Sequence, residues 1–230
     1  LPKNSIFGDK GPSIFPDHDL WTLISYTNSR LFTYLMLAQT TERMWEVGQI
    51  SKLPWRTELE SNSALEDLAK ESVGHLVSKR QYDFVSPHFV GPVLLDVLGE
   101  TDMLDLYEHP HRKLRDELDL DSPSSISDTE ASLSELGTAA TTHLEQIEAN
   151  LQDCADRIDE AVFDCFDISE DQRETVLQEI ALRTNEDPRK REEYAPESNT
   201  EPGDQFPEMV KNLLLHLTLH AVNNTDDGII

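Results

Sequence analysis

A long apolar seam with helical spacing runs through residues 133–165 of this chain. Apolar residues recur at steps of three and four, the repeat expected along one face of a helix. The members of the seam are Leu133, Leu136, Ala140, Leu144, Ile147, Leu151, Cys154, Ile158, Ala161 and Cys165. Ser127 and Glu130 have the S-x-x-E spacing of a capping box, which predicts one coiled-coil-like helix of about 40 residues. Because a lone helix cannot bury such a face, it must pack along another helix or another chain.

The other segments predict an α+β chain that is mostly helical. The stretch NSIFGDKGPSIFP predicts a hairpin or paired short strands, and WEVGQIS predicts a short strand that Pro54 ends. Helical spacing predicts helices over residues 19–38 and 58–79, and Ser169 is expected to cap a further helix that ends near Arg183. A polar linker then leads to an apolar terminal helix with Pro207 in its first turn.

The charge of the chain is extreme and unevenly distributed. With 45 acidic and 19 basic residues the net charge is -26, a balance that resembles the acidic proteins of salt-loving archaea. Residues 1–56 hold six basic and five acidic residues, a net charge of +1, whereas the remaining 13 basic and 40 acidic residues give -27. The first quarter is therefore the part best suited to face an anionic polymer.

Apolar runs and cysteines indicate a cytoplasmic protein with no membrane partner. No signal peptide opens the chain, and its longest apolar run is too short to span a bilayer. Cys154 and Cys165 are 11 positions apart, roughly 16 Å along one helix, which is beyond disulfide reach. We expect two reduced thiols.

Common catalytic and metal-binding motifs are absent from the sequence. His216 and His220 share one helical face, but Leu217 stands where H-E-x-x-H has its Glu and no third ligand is apparent, so no metal site is predicted. No G-x-S-x-G elbow, dinucleotide turn or phosphate loop occurs. No catalytic residue is assigned.

The segment from YTNSRLFTYL to WEVGQISKLPW remains as the functional candidate. One interpretation is purely structural, with a helix packed on a strand, Trp45 and Trp55 in the core and Gly48 at a bulge.

A second interpretation rests on a resemblance to a known family. The order of these motifs resembles the end of the target-recognition region in PglX-type adenine-specific DNA methyltransferases of BREX phage-defence systems, in a haloarchaeal version. In this resemblance Asn28 and Ser29 form an Asn-Ser pair, residues 47–50 form a V-G-[QD]-I step, and Leu53 with Pro54 ends the module. Weaker similarity continues through ESVGHLVSKRQYDFVSPHF, where Val85 replaces a Glu of the family, and RIDEAVFDCFDISED.

The resemblance implies contacts with double-stranded DNA and names the residues expected to make them. These residues are Asn28, Ser29, Arg30, Arg43, Gln49, Lys52 and Arg56. The structural part of the motif would be Trp45, Gly48, Leu53, Pro54 and Trp55, with the glycine permitting close backbone approach. The N-P-P-[YF] motif that holds a flipped adenine and the Gly-rich turn for S-adenosylmethionine are both missing. That cofactor is therefore expected only in a full-length protein, of which this chain would be a non-catalytic part.

The resemblance also divides the chain. Residues 1–56 would end the target-recognition domain, 57–126 would form a helical and loop connector, and 127–183 would hold the long helix. Residues 184–205 would be an acidic linker, followed by an apolar terminal helix over 206–230. Other subunits of the defence complex are expected partners of the helical part. A similar layout in type I specificity subunits keeps an alternative open, a non-catalytic specificity subunit or coiled-coil adaptor of a DNA-modification complex.

Overall fold

The computed structural model describes residues 19–39, 47–86, 88–99, 132–184 and 205–223, and these residues are mostly helical, as predicted. No strand occurs among them. The helices in chain order are α1 Leu20–Asn28, α2 Arg30–Gln39, α3 Val47–Ile50, α4 Thr57–Glu60, α5 Ser63–Arg80, α6 Val93–Leu98, α7 Leu133–Cys165, α8 Glu170–Thr184 and α9 Gln205–Asn223. Within the same residues, no helix is both long enough and apolar enough to cross a bilayer.

The strand predicted over WEVGQIS is wrong where the structure describes it. Val47–Ile50 forms one helical turn, and the turn continues as Lys52 and Leu53 donate backbone N–H bonds to the carbonyls of Gln49 and Ile50, each at 3.1 Å. Three alternating residues are too few to distinguish a strand from a helical turn. Burial of Ile50 and Leu53 against a core selects the turn. The predicted N-terminal hairpin lies outside the described residues.

Two predicted helices are each divided. Over residues 19–38, Ser29 takes an extended conformation and separates α1 from α2. Over residues 58–79, the short α4 ends before α5 begins. The Ser169 prediction is confirmed, since the Ser169 N–H donates to the Gln172 side chain at 2.9 Å ahead of α8. Pro207 lies in the first turn of α9, also as predicted.

The predicted long helix is present, but it begins later than predicted. The predicted capping box of Ser127 and Glu130 lies outside the described residues, and α7 instead starts at a second S-x-x-E pair. Glu135 accepts 2.7 Å hydrogen bonds from both the N–H and the hydroxyl of Ser132, and Ser132 Oγ accepts the Glu135 N–H at 3.3 Å. This reciprocal pair satisfies donors that the helix cannot satisfy itself.

The chain divides into two units, each assembled from two stretches of sequence. The first unit draws on Leu1–Ala69 and Ala155–Glu193, and the second on Lys70–Cys154 and Tyr194–Ile230. These units do not coincide with the five consecutive segments defined on the sequence, because α5 and α7 each contribute residues to both. The functional division of the chain stays a prediction.

In the core of the first unit, α1, α2, α4 and the start of α5 pack against α8 and against the end of α7. Its buried residues are Tyr26, Leu31, Phe32, Met36, Leu59, Leu65, Leu68, Ile158, Val162, Phe163, Cys165 and Val176. Between α1 and α5, the Ser25 hydroxyl donates to the Leu65 carbonyl at 2.7 Å. This buried bond fixes the approach of the two helices.

The core of the second unit is smaller and is formed by α6, α7 and α9. Its buried residues are Val93, Leu94, Val97, Leu136, Ala140 and Met209. Helix α6 ends at Gly99, whose φ of 74° lies in the left-handed region that glycine adopts without cost. Close packing appears at Gly137 of α7, where an added Cβ would overlap the ring of Phe206 on α9.

Phe163→Ala and Leu133→Ala test how far the buried face of α7 departs from the predicted seam. Phe163 is outside the seam but only 4% exposed, whereas Leu133 belongs to the seam but is 46% exposed. We expect Phe163→Ala to lower the free energy of unfolding by about 3–5 kcal/mol and Leu133→Ala to change it by less than about 0.5 kcal/mol. Urea denaturation in molar salt measures both, and equal losses would contradict the described face.

Candidate nucleic-acid interface

The Asn-Ser pair forms the junction between α1 and α2. The buried Ser29 hydroxyl donates to the Tyr26 carbonyl at 2.8 Å and accepts the Phe32 N–H at 3.2 Å. The Asn28 amide turns back along its own helix and donates to the Ile24 carbonyl at 2.8 Å. Ser29 thus ends one helix and caps the next, and its oxygen is committed to the backbone.

The Leu-Pro step is joined to this junction through Tyr26. The Tyr26 hydroxyl donates to the Pro54 carbonyl at 2.9 Å, and burial raises the pKa of Tyr26 to about 12. The ring lies edge-on to Trp55 at 5.8 Å and stacks on Phe166 at 5.6 Å. Trp55 in turn donates its indole N–H to Glu60 at 2.8 Å and packs against the first core. The two motifs of the candidate segment are therefore held together by one buried aromatic cluster.

The α3 turn exposes the middle of the segment. Gly48 is exposed, and an added Cβ would meet no described atom within 4 Å. The close backbone approach to DNA expected of this glycine stays a prediction. Lys52 is exposed and Gln49 is half-buried. Arg43 and Trp45 lie outside the described residues.

Arg30 is held by two carboxylates on α7. Its guanidinium lies 3.2 Å from Asp156 and 3.2 Å from Asp159. Its backbone N–H, at the start of α2, also donates to Asp159 at 2.6 Å. Asp159 therefore serves as a remote cap, because it supplies from another helix the acceptor that the first turn of α2 needs.

Asp159 is itself unusual among the many acids of this chain because it is buried. Burial raises its pKa above the usual value, and this effect exceeds the opposing pull of the Arg30 N–H and guanidinium. The nearby charge of Asp156 also raises it. Contacts with Arg30 therefore keep the Asp159 carboxylate in place, although its burial costs solvation free energy.

Arg56 is engaged by carboxylates as well. It donates to Asp167 at 2.8 Å, pairs with Glu58 at 3.3 Å, and lies over the Phe166 ring at 5.9 Å. The hydrogen bond to Asp167 is the main reason that the Arg56 pKa is raised. Arg30 and Arg56, two of the three described basic candidates, therefore pair with carboxylates of the first unit. Lys52, the third, is exposed and lies in the same turn as Gln49.

A polar cluster in the second unit was not predicted from the sequence. The Tyr82 hydroxyl donates to Asp96 at 2.5 Å and lies 3.2 Å from His143 Nε2. Asp96 is buried although it belongs to the apolar helix α6. The cluster joins three separate elements, so no local spacing could have revealed it.

An open surface pocket of about 400 Å³ also lies in the second unit, and its lining includes none of these three residues. It is lined by Ser134, Gly137, Thr138, Thr141, Thr142, Glu145 and Phe206. The hydroxyls of Thr138 and Thr142 donate to carbonyls one turn earlier in α7. With neither a titratable pair nor a nucleophile–base pair in its lining, the pocket gives no basis for catalysis.

Comparison with protein-family models, with curated proteins and with solved structures finds no match for this chain.

Tyr26→Phe isolates the hydrogen bond that joins α1 to Pro54. We expect a loss of about 0.5–1.5 kcal/mol in the free energy of unfolding, since the ring remains and only the hydroxyl is removed. Tyr34→Phe is the matched control, because no hydrogen bond of the Tyr34 hydroxyl is found within the described residues. Denaturant titration measures both, and a larger loss for Tyr34→Phe would contradict the described coupling.

Asp159→Asn tests the buried carboxylate through pH dependence. An unfolded Asp titrates near pH 3.9, and the folded pKa of Asp159 lies above its usual value. Between those two pKa values the folded chain binds more protons at this site, so the contribution of Asp159 to the free energy of unfolding falls as pH rises. The asparagine keeps an oxygen for the Arg30 N–H but cannot ionise.

The stability of Asp159→Asn relative to the parent chain should therefore increase with pH through this window and then level off. Thermal denaturation from pH 3.5 to 7 in molar salt measures the difference. The control is Asp156→Asn, which removes the exposed partner of the same guanidinium. A difference that decreases with pH would show that the ion pair outweighs the burial.

Proposed function

We propose that this chain is the C-terminal, non-catalytic part of an adenine-N6 DNA methyltransferase of the PglX type, acting in a phage-defence system. The full protein would transfer a methyl group from S-adenosylmethionine to adenine in double-stranded DNA. This chain would end its target-recognition domain and brace that domain with helices. The cofactor and the flipped adenine would be held by other parts of the full protein.

The observation that supports the proposal is the coupling of the motifs that carry the resemblance. The Asn-Ser pair and the Leu-Pro step are more than 20 positions apart, yet one buried tyrosine bonds to Pro54 while its carbonyl accepts the Ser29 hydroxyl. A recognition module needs such a rigid base, because a loop that reads DNA must be held in register. The turn between the two motifs carries the exposed Lys52 and the half-buried Gln49.

Within the proposal, the residues named from the resemblance divide into two roles. Ser29, Arg30 and Arg56 would be positioning residues, since their polar groups bond within the first unit. Lys52 would contact a phosphate, and Gln49 would reach a base edge, for which its amide offers both a donor and an acceptor. Arg43 stays a proposed contact from the sequence alone.

A second candidate, an adaptor or specificity subunit that assembles with a separate catalytic chain, is favoured by the surface of α9. Leu214 and Leu215 are 60% and 40% exposed. In this candidate, the catalytic chain would cover these two leucines and remove them from water. The two candidates differ in whether the methyltransferase motifs belong to the same polypeptide.

The function is tested by the double substitution Gln49→Ala with Lys52→Ala in the source organism, followed by mapping of N6-methyladenine across the genome. We expect methylation of one sequence motif to fall at least about tenfold, because one base contact and one phosphate contact are lost. Lys211→Ala is the control, since this exposed lysine lies in the second unit and pairs with Glu208. An unchanged methylome after deletion of the whole coding segment would overturn the proposal.

The purified chain gives a second measurement of the same pair of substitutions. Fluorescence anisotropy with duplex DNA is best made in about 1 M potassium chloride, where the Debye length of about 3 Å confines charge effects to direct contacts. The double variant should keep its thermal midpoint and bind more weakly than Lys211→Ala. Equal affinity of the two variants would remove the α3 turn as the contact surface.

A further inference from the structure

Three groups with metal-binding chemistry converge in the second unit. Glu71 and His75 lie one turn apart on α5, and Cys154 lies on α7. His75 Nε2 is 4.0 Å from Glu71 Oε1, and one ligand atom from each of the three residues lies within 4.8 Å of the other two. The spacing E-x-x-x-H in ESVGH places both side chains on one helical face.

The surrounding contacts fix how these two helices meet. One turn beyond His75, Lys79 pairs with Glu148 of α7 at 2.5 Å. As α5 proceeds from His75 to Lys79, its neighbour on α7 changes from Cys154 back to Glu148, so the two helices are antiparallel here. Cys154 is buried, His75 is half-buried and Glu71 is exposed. The cluster therefore runs from the interior of the unit to its surface, with one side open to solvent.

We propose that Glu71, His75 and Cys154 bind a zinc ion, with water in the fourth position. A thiolate and an imidazole select zinc over magnesium or calcium, which prefer oxygen ligands. With bond lengths of about 2.0–2.3 Å, tetrahedral ligands stand about 3.3–3.6 Å apart. The three ligand atoms must therefore close by on the order of 1 Å, which requires small side-chain rotations at more than one of the three residues.

The role of the ion is to clip α5 to α7. The ligands on the two helices are 79 positions apart in sequence, counted from His75 to Cys154, so binding constrains a long loop of the unfolded chain. Binding also requires the Cys154 thiol to release its proton to solvent and His75 to be neutral. Zinc should consequently raise the thermal midpoint at neutral pH, because the ion binds the folded chain and not the unfolded one.

Cobalt(II) substitution tests the site in the whole chain against its very acidic background. Exposed carboxylates bind cations weakly, but only a thiolate gives the near-ultraviolet sulfur-to-cobalt charge-transfer band. We expect this band at one equivalent of cobalt, with loss of the band on addition of zinc. The chain has two cysteines, so Cys165→Ser is a matched control that removes the other buried thiol of the same helix.

The variants make the assignment specific. Cys154→Ser should abolish the charge-transfer band, and His75→Ala, which keeps the thiol, should weaken cobalt binding at least about tenfold. Cys165→Ser should retain both the band and the zinc-induced rise in thermal midpoint. No band in the parent chain, or a band that survives Cys154→Ser, would overturn the proposal. The site is independent of the DNA-binding function, so failure of either leaves the other standing.

Discussion

A helix of 33 residues with a continuous apolar face must be covered along its whole length, and the rest of this structure follows from that requirement. Helix α7 meets it by contributing to two cores, with Leu136 and Ala140 in one and Ile158, Val162 and Phe163 in the other. Shorter helices supply the partner surfaces, and those below about 12 residues, such as α1, α2 and α6, would be marginal in isolation. Their stability therefore comes from packing against this one element.

The same helix also organises the few positive charges near it. In the first unit, Arg30 meets Asp156 and Asp159, and Arg173 of α8 pairs with Asp164 while lying over the Phe163 ring at 5.5 Å. In a chain with 45 acids and 19 bases, a basic side chain near the core finds a carboxylate more readily than it remains free. Such pairs at a protein surface add little stability individually, and their larger effect is to fix which helices meet.

Elements set by local signals could be predicted from the sequence, and elements set by distant residues could not. The start of α8, the position of Pro207 and the existence of α7 follow from capping residues and periodicity within a few turns. The break at Ser29 could not be foreseen, because its remote cap, Asp159, is 130 positions away and looks like any other acid of an acidic helix. Two S-x-x-E pairs also lie five positions apart, and spacing alone cannot choose between them.

The same distinction governs the candidate site. The sequence placed Ser29 and Pro54 in one module but could not show that Tyr26 joins them. Arg30 and Arg56 are predicted from the sequence to contact DNA. Their acceptors, Asp159 and Asp167, lie more than 100 positions further on, so no nearby residue indicates that these arginines are already paired. The meeting of Tyr82, Asp96 and His143 depends on tertiary packing, which no linear pattern encodes.

Cys154 and Cys165 lie on one helix, both buried, yet each belongs to a different unit. A thiol reacts with an alkylating reagent only when it is reached by solvent, and regions of a protein open locally with their own free energies. The chain therefore carries one natural reporter of opening in each unit. Equal alkylation rates at the two positions would reveal a single cooperative structure, and unequal rates would reveal which end of the shared helix frays first.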